Sequence, residues 1–271
     1  MTAAENYALG YRELEQQRLQ RQAEELRPES AWLFDQIGIA EGARVLEIGC
    51  GPRGCLDLLS SRVGPTGRVV GVELSPTAVE WAQDFLTGQG LQNVEVHAGD
   101  ARAVGLAEGS FDVVTSRLVL VNIPEPEQLI ATAVALTRPG GVVAFHEIDF
   151  VGVMCDPPSQ AWSTLWDLYL TVSAKNGNDY FLGRRLPRML RESGLVDVRV
   201  HPIMHHHPPG DPRRSLVVDF VGNFKDRIVA MDLATEAEVD ELKAAVTTHL
   251  DDPGTAVFFG PYIQAWGRKP A

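Results

Sequence analysis

Between residues 44 and 147 short apolar runs alternate with longer amphipathic stretches, and that alternation predicts the fold. Residues 44–48 and 69–74 read as strands, each followed by a helical stretch, over 55–62 and 76–87. Residues 94–98, 111–116 and 142–147 read as three further strands, with a helix over 126–136 before the last. Strands and helices alternating at these lengths build a parallel sheet with helices on both faces. Outside this stretch the pattern changes. Residues 7–26 are rich in Glu, Gln and Arg, with a thin apolar stripe of Leu9, Leu14, Leu19, Ala23 and Leu26. Such a helix lies over a surface. Pro28 ends it, and a short helix over 29–37 is closed by Gly38. Beyond residue 150, helices are expected over 161–172, 182–192, 213–231 and 236–250, with strands over 196–200 and 256–268.

Composition narrows the classes. The 271 residues are 45% hydrophobic and 22% charged, a globular profile. The net charge of -12 argues against nucleic acid as a partner, because that affinity rests on Lys and Arg neutralising phosphates. Cys50, Cys55 and Cys155 are odd in number and lack Cys-x-x-Cys spacing, which suits a reducing compartment and no disulfide framework. The first 26 residues lack the apolar core of a signal peptide, and no apolar run approaches the roughly 20 residues of a membrane span. A cytoplasmic protein that does not enter a membrane is the expectation.

The chemistry is carried by Glu47-Ile48-Gly49-Cys50-Gly51-Pro52-Arg53-Gly54, which follows a strand and opens a helix. Glycines there allow a tight turn and a close approach of ligand to main chain. Alone, Gly-x-Gly-x-x-Gly fits a dinucleotide dehydrogenase equally well. Glu47 shifts the balance, since a carboxylate near a helix N-terminus disfavours a pyrophosphate and favours a cationic ligand. Glu73 ends the second strand, where a carboxylate can accept both hydroxyls of a ribose. Gly99-Asp100-Ala101 closes the third strand, Ser110 to Val114 forms the fourth, and Arg138-Pro139-Gly140-Gly141-Val142 enters the fifth.

With these five motifs in this order and spacing, residues 31–149 resemble the class I S-adenosylmethionine-dependent methyltransferases. The resemblance implies a Rossmann-like α/β fold with a seven-stranded, mainly parallel sheet whose last strand is antiparallel. Helices cover both faces, and a helical lid comes from the N-terminus and C-terminal insertions. It divides the chain into a lid (1–38), a core that binds S-adenosylmethionine (39–150), and acceptor-side insertions with closing strands (151–271). It also implies that Glu47 supports the methionine end and Glu73 the ribose, with Gly49, Cys50, Gly51 and Leu74 also binding the cofactor. Asp100 and Ala101 would hold the adenine, and Ser116 and Arg117 would complete the site. Asp112 would steady the glycine loop or a helix end. Tyr7 and Tyr11 resemble lid tyrosines over the methionine end, and a neighbouring subunit could supply them as easily as the same chain, making that helix an oligomer contact.

Ligands of open α/β sheets sit beyond the carboxyl ends of the strands. That places His146, Glu147 and Asp149 near the transferable methyl, as candidate bases. An unperturbed imidazole titrates near neutrality, which makes His146 a candidate, but Glu147 and Asp149 share a strand face and rank above it. Ser116-Arg117-Leu118-Val119-Leu120 stands where nucleic-acid and protein amino-group methyltransferases often carry Asn-Pro-Pro-Tyr or Asp-Pro-Pro-Tyr, which favours a small-molecule acceptor. Trp162, Trp166 and Tyr169 share a helix face that either packs in the core or lines an aromatic acceptor pocket. Phe181, Phe220 and Phe224 would join the same lid. His201 and His205 to His207, among Pro202, Pro208 and Pro209, read as an irregular connection at the lid edge, and no metal is expected. The expected activity is methylation of oxygen, nitrogen or carbon on a small apolar or aromatic metabolite, in a biosynthetic tailoring step. The competing readings are an RNA or protein methyltransferase, a nicotinamide-dependent oxidoreductase, and a binding protein that senses S-adenosylmethionine.

Overall fold

The first ordered signals in the chain are caps and prolines, and they set the helices where the computed structural model, which describes residues 13–271, has them. Helix α1 (Glu13–Glu25) is followed at once by α2 (Arg27–Ile37), which has proline in its first turn and ends on Gly38 in the left-handed conformation. The alternating segment then gives β1 (Arg44–Ile48), α3 (Leu56–Val63), β2 (Arg68–Glu73), α4 (Pro76–Gly88), β3 (Val94–Ala98), β4 (Phe111–Arg117), α5 (Pro126–Leu136) and β5 (Thr137–Ile148). Helix α4 starts where the Ser75 side chain accepts from the Ala78 amide. The remainder supplies β6 (Met154–Asp156), α6 (Gln160–Lys175), α7 (Leu186–Glu192), β7 (Val196–His207), α8 (Leu216–Ala230), α9 (Glu236–Asp251) and β8 (Ala256–Arg268).

Among the described residues the sheet has eight strands, in the order β3-β2-β1-β4-β5-β8, with β6 and β7 also paired to β8. The first five are mutually parallel, and every pairing of β8 is antiparallel. Seven strands were expected. The eighth is β6, three residues that continue the line of β5 along β8 and are too short to carry a periodicity of their own. The histidine run is a second correction. Residues 196–207 form one strand through His207 rather than a strand ending at 200 and an irregular connection, and Pro202 lies inside it opposite Ile263. Among the described residues β7 pairs only with β8, and an edge strand tolerates a proline because half of its N–H groups point away from its partner. The histidines go to separate neighbours: His205 to Glu29 at 2.9 Å, His207 to Asp211 at 3.0 Å, and His201 stacks on Trp32.

Alternation along the parallel strands sends side chains to two apolar layers. Val45, Val69, Val113, Val142 and Ala144 meet Leu33, Phe34 and Ile37 of α2 and Leu56, Leu59 and Val63 of α3. On the other face Leu46, Val70, Val114, Val143 and Phe145 meet α5 and the helices after residue 160. Trp162, Trp166 and Phe224 are buried in this second layer, and Phe181 is exposed beneath the Arg184 guanidinium, so Phe181 does not join a lid. Asp112 accepts from the Arg44 amide and from Arg138, tying the starts of β1, β4 and β5 at the end of the sheet opposite the glycine loop. Among the described residues, no helix is long and apolar enough to cross a membrane.

Candidate functional site

β1 delivers the chain into the glycine turn at its carboxyl end, and the turn is fixed from below by Glu47. Its buried carboxylate accepts the Cys55 amide through both oxygens at 2.9 Å, which anchors the segment entering α3. Burial pushes the Glu47 carboxyl up to about 7, opposed by the nearby Arg117 guanidinium. Arg117 itself donates to Ser30 Oγ at 2.9 Å and to the Gly54 carbonyl at 3.3 Å, so it braces α2 against the loop. Two glycines are required by contact as well as by conformation. A Cβ on Gly49 (φ 69°) would overlap the Val119 side chain, and one on Gly54 (φ 53°) would lie 2.7 Å from the Glu47 oxygens. Gly54→Ala is therefore expected to lower unfolding stability by about 2 kcal/mol in a denaturant titration. An unchanged midpoint would show that the loop is held by something other than this contact.

Glu73 stands at the end of β2, its carboxylate accepting the Gly51 amide at 3.0 Å and the Ser75 amide at 2.9 Å. Burial pushes its carboxyl above the ordinary value, against the pull of those amides. Asp100 receives the backbone amide and guanidinium of Arg102, whose hydrogen bonds hold it below the usual carboxylate range.

These groups open into a cavity of about 570 Å³. One wall is Glu47, Gly49 to Pro52, Glu73, Leu74, Asp100 to Arg102 and Arg117. The other holds six rings: Phe150, Tyr169, Tyr180, Phe220, Phe259 and Tyr262. Helix α1 of the same chain lines it through Arg18, Leu19, Gln22 and Glu25. Of the cofactor residues expected from sequence, Glu47, Gly49, Cys50, Gly51, Glu73, Leu74, Asp100, Ala101 and Arg117 all meet at this cavity. The Cys50 thiol turns into the core against Gly71. Ser116 is a correction: it is buried, donates to the Ile48 carbonyl at 2.8 Å across the strands, and does not line the cavity. Tyr7 and Tyr11 lie outside the described residues.

The three candidate bases are also corrected, because none lines the cavity. Glu147 is 0% exposed, and its carboxylate accepts the amides of Val119, Leu120 and Val121 at 3.1, 3.0 and 3.4 Å. It anchors the turn after β4. Asp149 caps the turn after β5 through the Val151 amide and takes Arg184 through both oxygens, an ion pair that holds it low. His146 points to the α2–α3 face, 2% exposed, with its ring edge-on to Tyr262 at 5.6 Å. Burial, reinforced by Arg117, pushes it down to about 3, so it stays neutral.

Tyr180, Phe259 and Tyr262 were not expected at the site. Tyr180 sits on a turn, where periodicity says nothing. In β8 the register with β7 shifts between Ile203 and His205, so Phe259 and Tyr262, three residues apart, both line the cavity. Plain alternation would have put them on opposite faces.

A family model described as a methyltransferase domain matches residues 39–194. The chain belongs to this methyltransferase family. S-adenosylmethionine is the family's methyl donor, as the ordered motifs implied. An uncharacterised 37.1 kDa protein of transposon TN4556 from Streptomyces fradiae is 32% identical over 172 residues, a match covering 63% of this chain and 48% of that protein. The chain thus spans about half the length of that relative. The demethylmenaquinone methyltransferase of Halalkalibacterium halodurans is 28% identical over 193 residues, covering 64% of this chain and 76% of that enzyme. Among solved structures, a phosphoethanolamine N-methyltransferase of Haemonchus contortus, in complex with phosphomonomethylethanolamine and S-adenosylhomocysteine, aligns over 90% of this chain and 53% of its own. It does so with a TM-score of 0.58 at 17% identity. An S-adenosylmethionine-dependent methyltransferase of Aquifex aeolicus aligns over 69% and 91%, with a TM-score of 0.52 at 19% identity. At such identities the likeness is one of fold.

Proposed function

We propose that this methyltransferase acts on a small, apolar, ring-bearing metabolite. One observation carries the reading: a single cavity joins the glycine loop and Glu73 to a wall of six aromatic rings. The donor fits the first wall. Glu73 retains lone pairs for ribose hydroxyls beyond the two amides it accepts, and Asp100 with Ala101 stands at the adjoining strand end. Bound there, S-adenosylmethionine supplies a methyl group already activated on a sulfonium. The relative named for demethylmenaquinone supports the same reading.

The chain's own part in the reaction is placement. The rings bury an apolar acceptor and exclude water, and α1 lines the cavity, which supports the lid reading for the described part of residues 1–38. With Glu147 and Asp149 hydrogen-bonded elsewhere and His146 buried away from the cavity lining, orientation of the acceptor replaces a side-chain base as the main contribution of the protein. Calorimetric titration of S-adenosylhomocysteine and, in parallel, NADH tests the donor assignment. Binding of the first alone is expected. Binding of NADH alone would restore the oxidoreductase reading. A screen of small metabolites and of RNA with labelled methyl donor then tests the acceptor class, and label entering RNA alone would overturn it.

A further inference from the structure

We infer that the hydroxyl of Tyr262 is the polar contact that orients the acceptor, and that the acceptor is a planar aromatic ring bearing an oxygen that accepts this hydrogen bond. The inference rests on the methyltransferase reading of the cavity and adds the substrate's handle to it.

Among the described residues three tyrosines line the cavity, and two have their hydroxyls engaged. Tyr180 donates to Asn122 Oδ1 at 3.1 Å, and Tyr169 interacts through its hydroxyl with Tyr180. The Tyr262 hydroxyl makes no hydrogen bond to any described residue. Its ring is nevertheless held in place. His146 packs edge-on at 5.6 Å, His205 lies tilted at 5.2 Å, and His205 is itself fixed by Glu29 of α2 at 2.9 Å. A ring locked on one side with its hydroxyl uncommitted is a preorganised donor. Burial pushes this phenol up to about 12, so it carries its proton at any physiological pH and donates rather than abstracts.

The neighbouring rings give the acceptor its shape. Tyr169 and Phe220 stack at 5.3 Å, 18° from parallel, while Phe150 and Phe259 meet edge to face at 5.6 Å. Flat aromatic walls select a flat body. An acceptor without an oxygen would strip water from the Tyr262 hydroxyl and return nothing, so the site discriminates against analogues that lack its partner.

The test uses the full chain saturated with S-adenosylhomocysteine and two probes that differ by one hydroxyl, 2-naphthol and naphthalene, followed by fluorescence. Tyr262→Phe is expected to weaken 2-naphthol binding by about five- to ten-fold and to change naphthalene binding by less than about two-fold. S-adenosylhomocysteine affinity and thermal midpoint stay as in the wild type. Unchanged 2-naphthol affinity, equal losses for both probes, or binding of neither probe by the loaded wild type would each overturn the inference. Failure of the wild type to bind S-adenosylhomocysteine overturns the functional reading itself, and that is measured before either probe is added.

Discussion

Glu73→Ala is expected to weaken S-adenosylhomocysteine binding by about 100-fold, or about 3 kcal/mol, read by calorimetry. Two charge-assisted hydrogen bonds to ribose hydroxyls account for that size. The same carboxylate also holds the Gly51 and Ser75 amides, so the truncation relaxes the glycine turn against which the donor packs. That second role gives the variant a stability cost of about 1–2 kcal/mol in the unliganded protein, because the freed amides border a cavity that water can enter. The two effects separate in Glu73→Gln, which keeps one carbonyl acceptor and the volume but removes the charge. It should recover most of the stability and only part of the affinity. If Glu73→Ala binds S-adenosylhomocysteine as tightly as the wild type, the carboxylate is structural and the ribose lies elsewhere.

The donor wall was legible in the sequence because its determinants are local. A strand, a turn that needs glycine, and carboxylates at successive strand ends lie within short reach of each other, and Glu47, Glu73 and Asp100 all reach the cavity. The acceptor wall was legible only in part. Tyr169 and Phe220 were expected there, but Tyr180, Phe259 and Tyr262 come from a turn and from β8, and their convergence depends on packing and on a register shift in β7–β8. The candidate bases failed for a related reason. Alternation correctly separated His146 from Glu147 onto opposite faces, but a face does not name a partner. Glu147 finds three amides in the turn after β4, and Ser116 finds a carbonyl on β1, contacts set by neighbouring strands rather than by spacing. Pro202 misled in the opposite direction. Read alone it breaks a strand, and only the position of β7 at the sheet edge makes it harmless.

Because Glu147 supports the turn rather than the chemistry, its removal should be felt first as lost stability. Glu147→Ala leaves three amides without their acceptor beneath a closed apolar layer, at a cost of about 3–5 kcal/mol, which lowers the thermal midpoint by roughly 10 °C. Donor affinity should fall as well, since Val119, one of the three residues held, packs against Gly49. The pH dependence distinguishes this role from that of a surface carboxylate. Burial pushes the Glu147 carboxyl from 4.5 up to about 8, against the pull of the three amides. A group raised in this way contributes stability that is full below about pH 4.5 and is lost as the pH rises through about 8. The stability of the wild type relative to Glu147→Gln should therefore fall between about pH 4.5 and about pH 8, measured by denaturant unfolding at each pH. A difference that stays flat over that range and falls only as the pH drops below about 4.5 would mean that the amides outweigh burial and that Glu147 is held ionised. The turn after β4 would then be anchored by a charge rather than by a neutral acid.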